Sequence, residues 1–413
     1  MALAHERPLF RVGLQESTQI LNSLVSMPLD PIPAPAARDC WYLTGPTAAG
    51  KTQVGLELAE RLGAEIISLD SMAVYQGMDI GTAKPTAADR ARVPHHLLDL
   101  VPPTEDFSLS EYIDAAHAAI QEIRRRGRQV LFVGGTPLYL KALLRGVYQG
   151  PPPDWEFRMR IEEELQHVPV TALHERLQVI DPLLAARLHP HDKRRIIRGL
   201  EVFKLTGQRL SHLQTQFDEG RPAHEMKVFV LDWPREELHR RIEARVRQMF
   251  HAGLVEEVRG LVARYGQLSR TAMQAVGYRE VLRYLGGDVY GLGKDAAPAK
   301  GSAERPATDE THDVARAGAI GRSADRTRRH GVAGLASAGR TPGTALEECV
   351  QQVVVRTRRF ARRQETWFRA LSECTRIPWR AGMTPPAMAE AILEVARRRT
   401  EGGRAGDTAG GTK

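Results

Sequence analysis

The residues Gly45-Pro46-Thr47-Ala48-Ala49-Gly50-Lys51-Thr52 have the spacing G-x-x-x-x-G-K-[ST], that of a phosphate-binding loop. Glycines at those positions let backbone N–H groups turn toward an anion, and the N-terminus of a following helix adds partial positive charge. Lys51 can reach a terminal phosphate, and the Thr52 hydroxyl can ligate Mg²⁺. Such a loop suits a nucleotide or a diphosphate leaving group equally. Asp70 ends the short apolar run that begins at Ala64. Ligands of open α/β sheets sit beyond the carboxyl ends of the strands, so this carboxylate is placed near the loop as a Mg²⁺ ligand or general base, with helix N-capping as its bland role. Gln129 to Thr136 reads as a buried parallel strand. A nucleotide hydrolase would carry an Asp at its end to hold Mg²⁺ through water; here it ends in Gly134-Gly135-Thr136. That departure weakens a plain ATPase or kinase reading. It also puts the Thr136 hydroxyl at the rim, unless Thr136 merely caps the next helix.

Several elements must aim these groups. Cys40 to Leu43 reads as a strand end, and Val54, Leu58 and Leu62 mark one face of the helix behind the loop. Ser71 to Thr86 is too rich in Gly and Pro for a regular element and reads as a long loop over the site. His95 to Leu100 reads as a further buried strand, its histidine pair being structural for want of a third metal ligand. A helix is predicted over Ser108 to Arg126, with Arg124 to Arg126 complementing its C-terminus. Pro151-Pro152-Pro153 breaks the chain, and 154–225 turns helical, which predicts a helical insertion in an α/β core. Within it Arg194, Arg195 and Arg198 face either an anionic partner or plain solvent. Lys227 to Trp233 returns as a strand, followed by helices with core stripes at Leu238, Ile242 and Val246 and at Leu254, Val258 and Leu261. From 291 to 344 large apolar residues are scarce, which predicts disorder.

Helical pattern resumes at Ala345 and leads into Arg356 to Arg369, the densest basic stretch, with aromatics interleaved. Phosphate contacts plus stacking on Trp367 or Phe368 would suit RNA; a charged helix face over aromatic core residues fits as well. The predicted organisation is a loose extension (1–38), an α/β core (39–150), a helical insertion (151–226), more core (227–290), a disordered insertion (291–344), a basic C-terminal helix (345–380) and a disordered tail (381–413).

Composition adds bounds. The chain has 413 residues, enough for two domains or one elaborated one, and carries a net charge of +8, which leans only slightly toward a polyanionic partner. Three scattered cysteines exclude a disulfide framework or a Cys-rich zinc site and suit a reducing cytosol. No run of 18 apolar residues predicts a membrane span, and Glu6, Glu16 and Asp30 argue against a transit peptide.

In order along the chain, GPTAAGKT (45–52), SLDSMAVYQGMDIGTAKP (68–85), HHLLDL (95–100), VGGTPLYLKALLRG (133–146), DPLLAARLHPHDKRRIIRGLEVF (181–203), QAVGYRE (274–280) and RRQETWFR (362–369) resemble the bacterial tRNA dimethylallyltransferases. The loop alone is shared by countless families, but the ordered set is highly specific. The resemblance implies a P-loop NTPase-like parallel sheet with an inserted all-helical tRNA-binding domain. It implies transfer of the five-carbon group of dimethylallyl diphosphate to N6 of the adenine 3′ of the anticodon, by a cytoplasmic monomer using Mg²⁺. Asp70, Thr136 and Lys51 would be catalytic. Gly45, Pro46, Thr47, Ala48, Ala49, Gly50, Lys51, Thr52 and Arg158 would hold the diphosphate, with Thr52 on Mg²⁺. tRNA would meet Asp70, Ser71, Met72, Ala73, Arg195, Arg198, Gln274, Gly277, Tyr278 and Arg279. On the C-terminal helix it would meet Arg362, Arg363, Gln364, Thr366, Trp367 and Arg369. An ATP-dependent small-molecule kinase, an isopentenyltransferase acting on free AMP or ADP, and a non-catalytic RNA-binding protein are the rival readings.

Overall fold

A computed structural model describes residues 36–146, 148, 150–214, 220–286 and 342–407. The predicted insertion 291–344 and extension 1–38 fall largely outside them. Six parallel strands form one sheet: β1 (Trp41–Thr44), β2 (Ala64–Leu69), β3 (His95–His96), β4 (Gln129–Gly134), β5 (Val228–Asp232) and β6 (Cys374–Pro378), in the order β3-β2-β4-β1-β5-β6. The central strands are buried on both faces, and their residues alternate between two cores as a two-residue period demands. Trp41, Leu43, Ile66, Leu131, Phe229 and Leu231 join one core; Tyr42, Ile67, Leu69, Phe132 and Val230 join the other.

The first core is completed by α1 (Lys51–Leu62), α10 (Arg235–His251) and α14 (Pro385–Asp407), through Val54, Leu58, Ile242, Val246, Met388 and Ile392. The second is covered by α3 (Leu109–Arg125) and α4 (Pro137–Arg145). The register pairs Leu43 with Val133 and Leu69 with Gly134, so β1, β2 and β4 deliver their carboxyl ends side by side. Gly134 is required there: a Cβ on it would lie 2.2 Å from Leu69 O.

Between β4 and β5 the chain makes a helical arm with its own apolar cluster. Its elements are α5 (Trp155–Glu164), α6 (Val170–Ile180), α7 (Pro182–Arg187), α8 (Lys193–Thr206) and α9 (Leu210–Leu213). Ile161, Leu173, Leu177, Ile196 and Leu200 fill that cluster. A third cluster joins α11 (Leu254–Tyr265) and α12 (Tyr278–Tyr284) to Val74, Tyr75 and Met78 of the long loop after β2. The loop is therefore anchored, although it contains no helix before α2 (Ala87–Arg92).

Two expectations need correction, and one strand is not foreseen by the sequence. Beyond Arg380 the chain forms α14, and Met388, Ala389 and Ile392 are wholly buried against the first core. Its i, i+4 pairs Met388–Ile392 and Ala389–Leu393 make the stripe that anchors it. His95 to Leu100 is no buried strand: only two half-buried residues pair at the sheet edge before the chain turns through positive φ at Leu97 and Asp99. Strand β6 escapes prediction because it is an edge strand with exposed Arg376 in its middle. The basic stretch lies on the 29-residue α13 (Pro342–Ala370).

Candidate active site

The loop leaves β1 and passes through positive φ at Gly45, Ala48 and Gly50. For Ala48 that conformation costs about 1–2 kcal/mol, and its surroundings hold it. Arg241 Nε–H donates to Ala48 O and Trp233 Nε1–H to Ala49 O, each at 2.9 Å. Trp233 stacks on Trp379 with ring centroids 4.1 Å apart, and the Arg241 guanidinium lies 4.3 Å from its ring centre. A trans peptide sets its C=O and N–H on opposite sides. Tying Ala49 O to Trp233 thus turns the Gly50 N–H away from that anchor. Thr47, Ala48, Gly50, Lys51 and Thr52 all line a cleft of about 3220 Å³.

Lys51 Nζ folds back on the loop, donating to Gly45 O at 3.1 Å and Pro46 O at 2.8 Å. Burial, helped by the charge of Arg245 and opposed by that of Asp70, pulls its ammonium down to about 7. Arg245 comes from α10, lines the same cleft and is itself shifted downward by burial, against the pull of Asp70. Sequence reasoning missed it because the helix reads as a core stripe. The signal was an arginine seven residues after Leu238, on the buried face rather than the solvent face.

Asp70 is not a helix cap. Its Oδ1 accepts the Met72 N–H at 2.8 Å in a local turn. Thr136 occupies the N-cap position of α4 but makes no side-chain cap bond. Its Oγ1 accepts the Ser71 N–H at 3.1 Å instead, while its own N–H donates to Leu69 O at 3.1 Å. Thr136 thereby fixes the chain on both sides of Asp70. Tyr112 donates its hydroxyl to Ser68 O at 2.8 Å and stacks on Tyr139 at 3.9 Å. Burial raises both phenols well above their usual range, so the wall beside Asp70 stays uncharged.

Thr52 bears on Mg²⁺. Its hydroxyl lines the cleft in the first turn of α1 and takes no hydrogen bond among the described residues. Mg²⁺ keeps several waters and needs few protein oxygens when phosphates complete its shell, so a single hydroxyl beside a phosphate loop fits it.

The same cleft holds residues expected to meet RNA. Ser71, Met72, Ala73, Gln274, Arg279, Arg194, Arg198 and Arg363 line it. Burial and the charges of Arg283, Arg356 and Arg194 depress the Arg279 guanidinium, so four arginines from the arm, α12 and α13 gather there. Arg158 also lines the cleft, but its Nε and Nη2 are given to the wholly buried Glu201 at 2.7 and 2.8 Å. Both Nη1 N–H groups and one on Nη2 are left for a ligand. Arg198 shares Glu201 and donates to Pro151 O at 2.9 Å. Arg195, Arg362 and Arg369 are exposed.

The remaining expected RNA contacts are placed otherwise. Tyr278 is buried and donates its hydroxyl to Glu257 at 2.5 Å, which closes the third cluster over the long loop. Gly277 is buried at its N-terminus with φ 97°. Phe368 is core, which excludes stacking on a base. Thr366 and Trp367 line a separate cleft of about 290 Å³ with Lys141 and Arg145. Gln364 is only 3% exposed, with both ends of its amide bonded to protein.

Comparison with known proteins agrees with this architecture. The family model described as IPP transferase matches residues 73–371. A tRNA dimethylallyltransferase of Rhodopirellula baltica is 45% identical over 82% of this chain and 88% of its own length. The crystal structure of the full-length tRNA isopentenylpyrophosphate transferase from Bacillus halodurans is 32% identical. It superposes with a TM-score of 0.53, covering 88% of this chain and 98% of that one. A eukaryotic dimethylallyltransferase acting on tRNA shares the fold, with a TM-score of 0.56 at 22% identity over 82% of this chain and 73% of its own. With a sheet that brings the phosphate loop, Asp70 and Thr136 to one rim, and a family match spanning most of its length, the chain belongs to the IPP transferase family.

Proposed function

We propose that the protein is a tRNA dimethylallyltransferase, moving the dimethylallyl group from its diphosphate to N6 of the adenine 3′-adjacent to the anticodon. One observation carries this reading. The phosphate loop with Lys51, Asp70 and Thr136, each following one of three neighbouring parallel strands, opens into a single cleft whose wall also carries arginines of the arm, α12 and α13. A kinase would need the loop but not that wall.

An exocyclic amine is a weak nucleophile, so the barrier falls mainly by positioning and by stabilising the departing diphosphate. A C–N bond forms between N6 and the allylic carbon as the C–O bond to diphosphate breaks, its electron pair leaving with the diphosphate. Asp70 accepts the N6 proton. Thr136 holds Asp70 in place through the Ser71 amide. Loop amides, Lys51 and Arg245 neutralise the diphosphate as negative charge gathers on it. Thr52 would hold Mg²⁺; when bound, the ion supplies further charge neutralisation at the leaving oxygens. The adenine must leave its stack to reach the cleft, and Arg194, Arg279 and Arg363 hold backbone phosphates around it.

All of these groups come from one chain, which suits a monomer. None of Cys40, Cys349 and Cys374 forms a disulfide, which suits the cytoplasm. Among the described residues no helix is long and apolar enough to cross a membrane. The test is incubation with Mg²⁺, dimethylallyl diphosphate and unmodified tRNA, followed by mass analysis of the nucleosides. One added prenyl group on that adenosine is the expected product. Turnover of ATP without RNA, or prenylation of free AMP alone, would overturn the reading.

A further inference from the structure

We propose that Gln364 is a positioning residue of the donor site, a latch that ties the phosphate loop to the end of β4, rather than a contact for RNA. The inference rests on the reading of the loop as a diphosphate cradle. Gln364 Oε1 accepts the Thr47 N–H at 2.8 Å, and its Nε2–H donates to Gly135 O at 2.6 Å. Three segments far apart in sequence are thus joined by one amide. No other uncharged side chain of that length offers a donor and an acceptor together.

Gly135 completes the fit. A Cβ on it would lie 2.6 Å from Gln364 Nε2, 3.2 Å from Gly45 O and 3.3 Å from Lys51 Nζ. Loop, lysine and latch therefore converge on one crowded point. The side chain is buried and bonded at both ends, which leaves a base or phosphate almost no surface to meet. Gln364 borders the cleft, as does its exposed neighbour on α13, Arg363. One helix thus supplies a cation to the acceptor wall and, at the next residue, a bolt to the donor loop.

Without the bolt the loop spends less time in its ligand-ready shape, and apparent affinity falls by that fraction. Diphosphate binding to the full-length chain with Mg²⁺ is measured by calorimetry, and binding of unmodified tRNA separately. Gln364→Met removes both bonds at similar volume; Gln364→Glu keeps the acceptor for Thr47 and loses the donor to Gly135. Both should weaken inorganic diphosphate about tenfold or more and raise KM for dimethylallyl diphosphate. tRNA affinity should stay within about twofold, because no RNA contact is lost. Arg363→Ala should show the reverse pattern. Folded Gln364 variants that bind diphosphate as the unaltered protein does, or that lose tRNA affinity instead, overturn the latch. Failure of the unaltered protein to bind diphosphate overturns the donor-site reading along with it. If both variants fail to fold, hydrogen exchange at Thr47 in the unaltered protein decides: protection matching the central strands supports the latch, and exchange at open-loop rates overturns it.

Discussion

The donor and acceptor sides of the cleft differ in how their polar groups are held. On the donor side each displaced group has a fixed partner: Ala48 O with Arg241, Ala49 O with Trp233, Thr47 N–H with Gln364, and Gly45 O with Lys51. On the acceptor side Arg194 is exposed, and the Arg279 guanidinium is crowded by the like charges of Arg283, Arg356 and Arg194, one of which, Arg356, is held by a buried carboxylate, Glu280, at 2.9 Å. A small, highly charged leaving group demands donors fixed before it arrives, since reorganising them during reaction would cost part of the barrier reduction. A long polyanion can be gathered by mobile cations and released again, and salt can tune that grip.

The largest expected effect falls on the donor side. Lys51→Met should lower kcat about 10²–10³-fold, the range for removing one preorganised donor, with tRNA affinity unchanged by filter binding. Arg245→Leu comes next. It removes a charged partner of the leaving group and should raise KM for dimethylallyl diphosphate about tenfold to a hundredfold, with partial recovery in Arg245→Lys. A result confined to tRNA binding would move Arg245 to the other wall.

The acceptor wall should respond more mildly and with a salt signature. Arg279→Ala and Arg194→Ala should each weaken tRNA about threefold to tenfold and reduce the slope of log affinity against log salt by about 1. Diphosphate binding in those variants should be unaltered.

Proton linkage is the subtlest effect. Free Lys51 titrates at about 7, so above neutrality it is largely uncharged. A bound polyanion favours the ammonium and raises that pKa, so binding takes up a proton at pH values between the free and bound pKa. As pH rises through that window, diphosphate affinity should fall by at most about tenfold per unit. Calorimetry in buffers of different ionisation enthalpy reads the uptake directly, and it should vanish in Lys51→Met.

How far the sequence reveals this contrast depends on how local each signal is. The phosphate loop, Asp70 and Thr136 are readable because each follows a buried strand, and parallel strands deliver their ends to one rim. Arg245 is not, because a helix of buried stripes hides one arginine that faces a cleft instead of a core. The basic stretch of α13 shows where charge is dense but not where each side chain goes. Arg363 opens into the cleft, Gln364 runs under the loop, and Phe368 enters the core one turn later. The tail misleads in the other direction: Met388 and Ile392 have helical spacing but pack on an α1 more than 300 residues away.

On the proposed mechanism Asp70 serves the chemical step beside a cradle that is already formed. Single-turnover prenylation by Asp70→Asn, with tRNA and dimethylallyl diphosphate both saturating, tests it most directly. The predicted result is a rate lowered about 10²–10⁴-fold, with both ligands bound within about twofold of the unaltered protein. A rate within about threefold of the unaltered protein, less than the smallest effect expected of a general base, would contradict it.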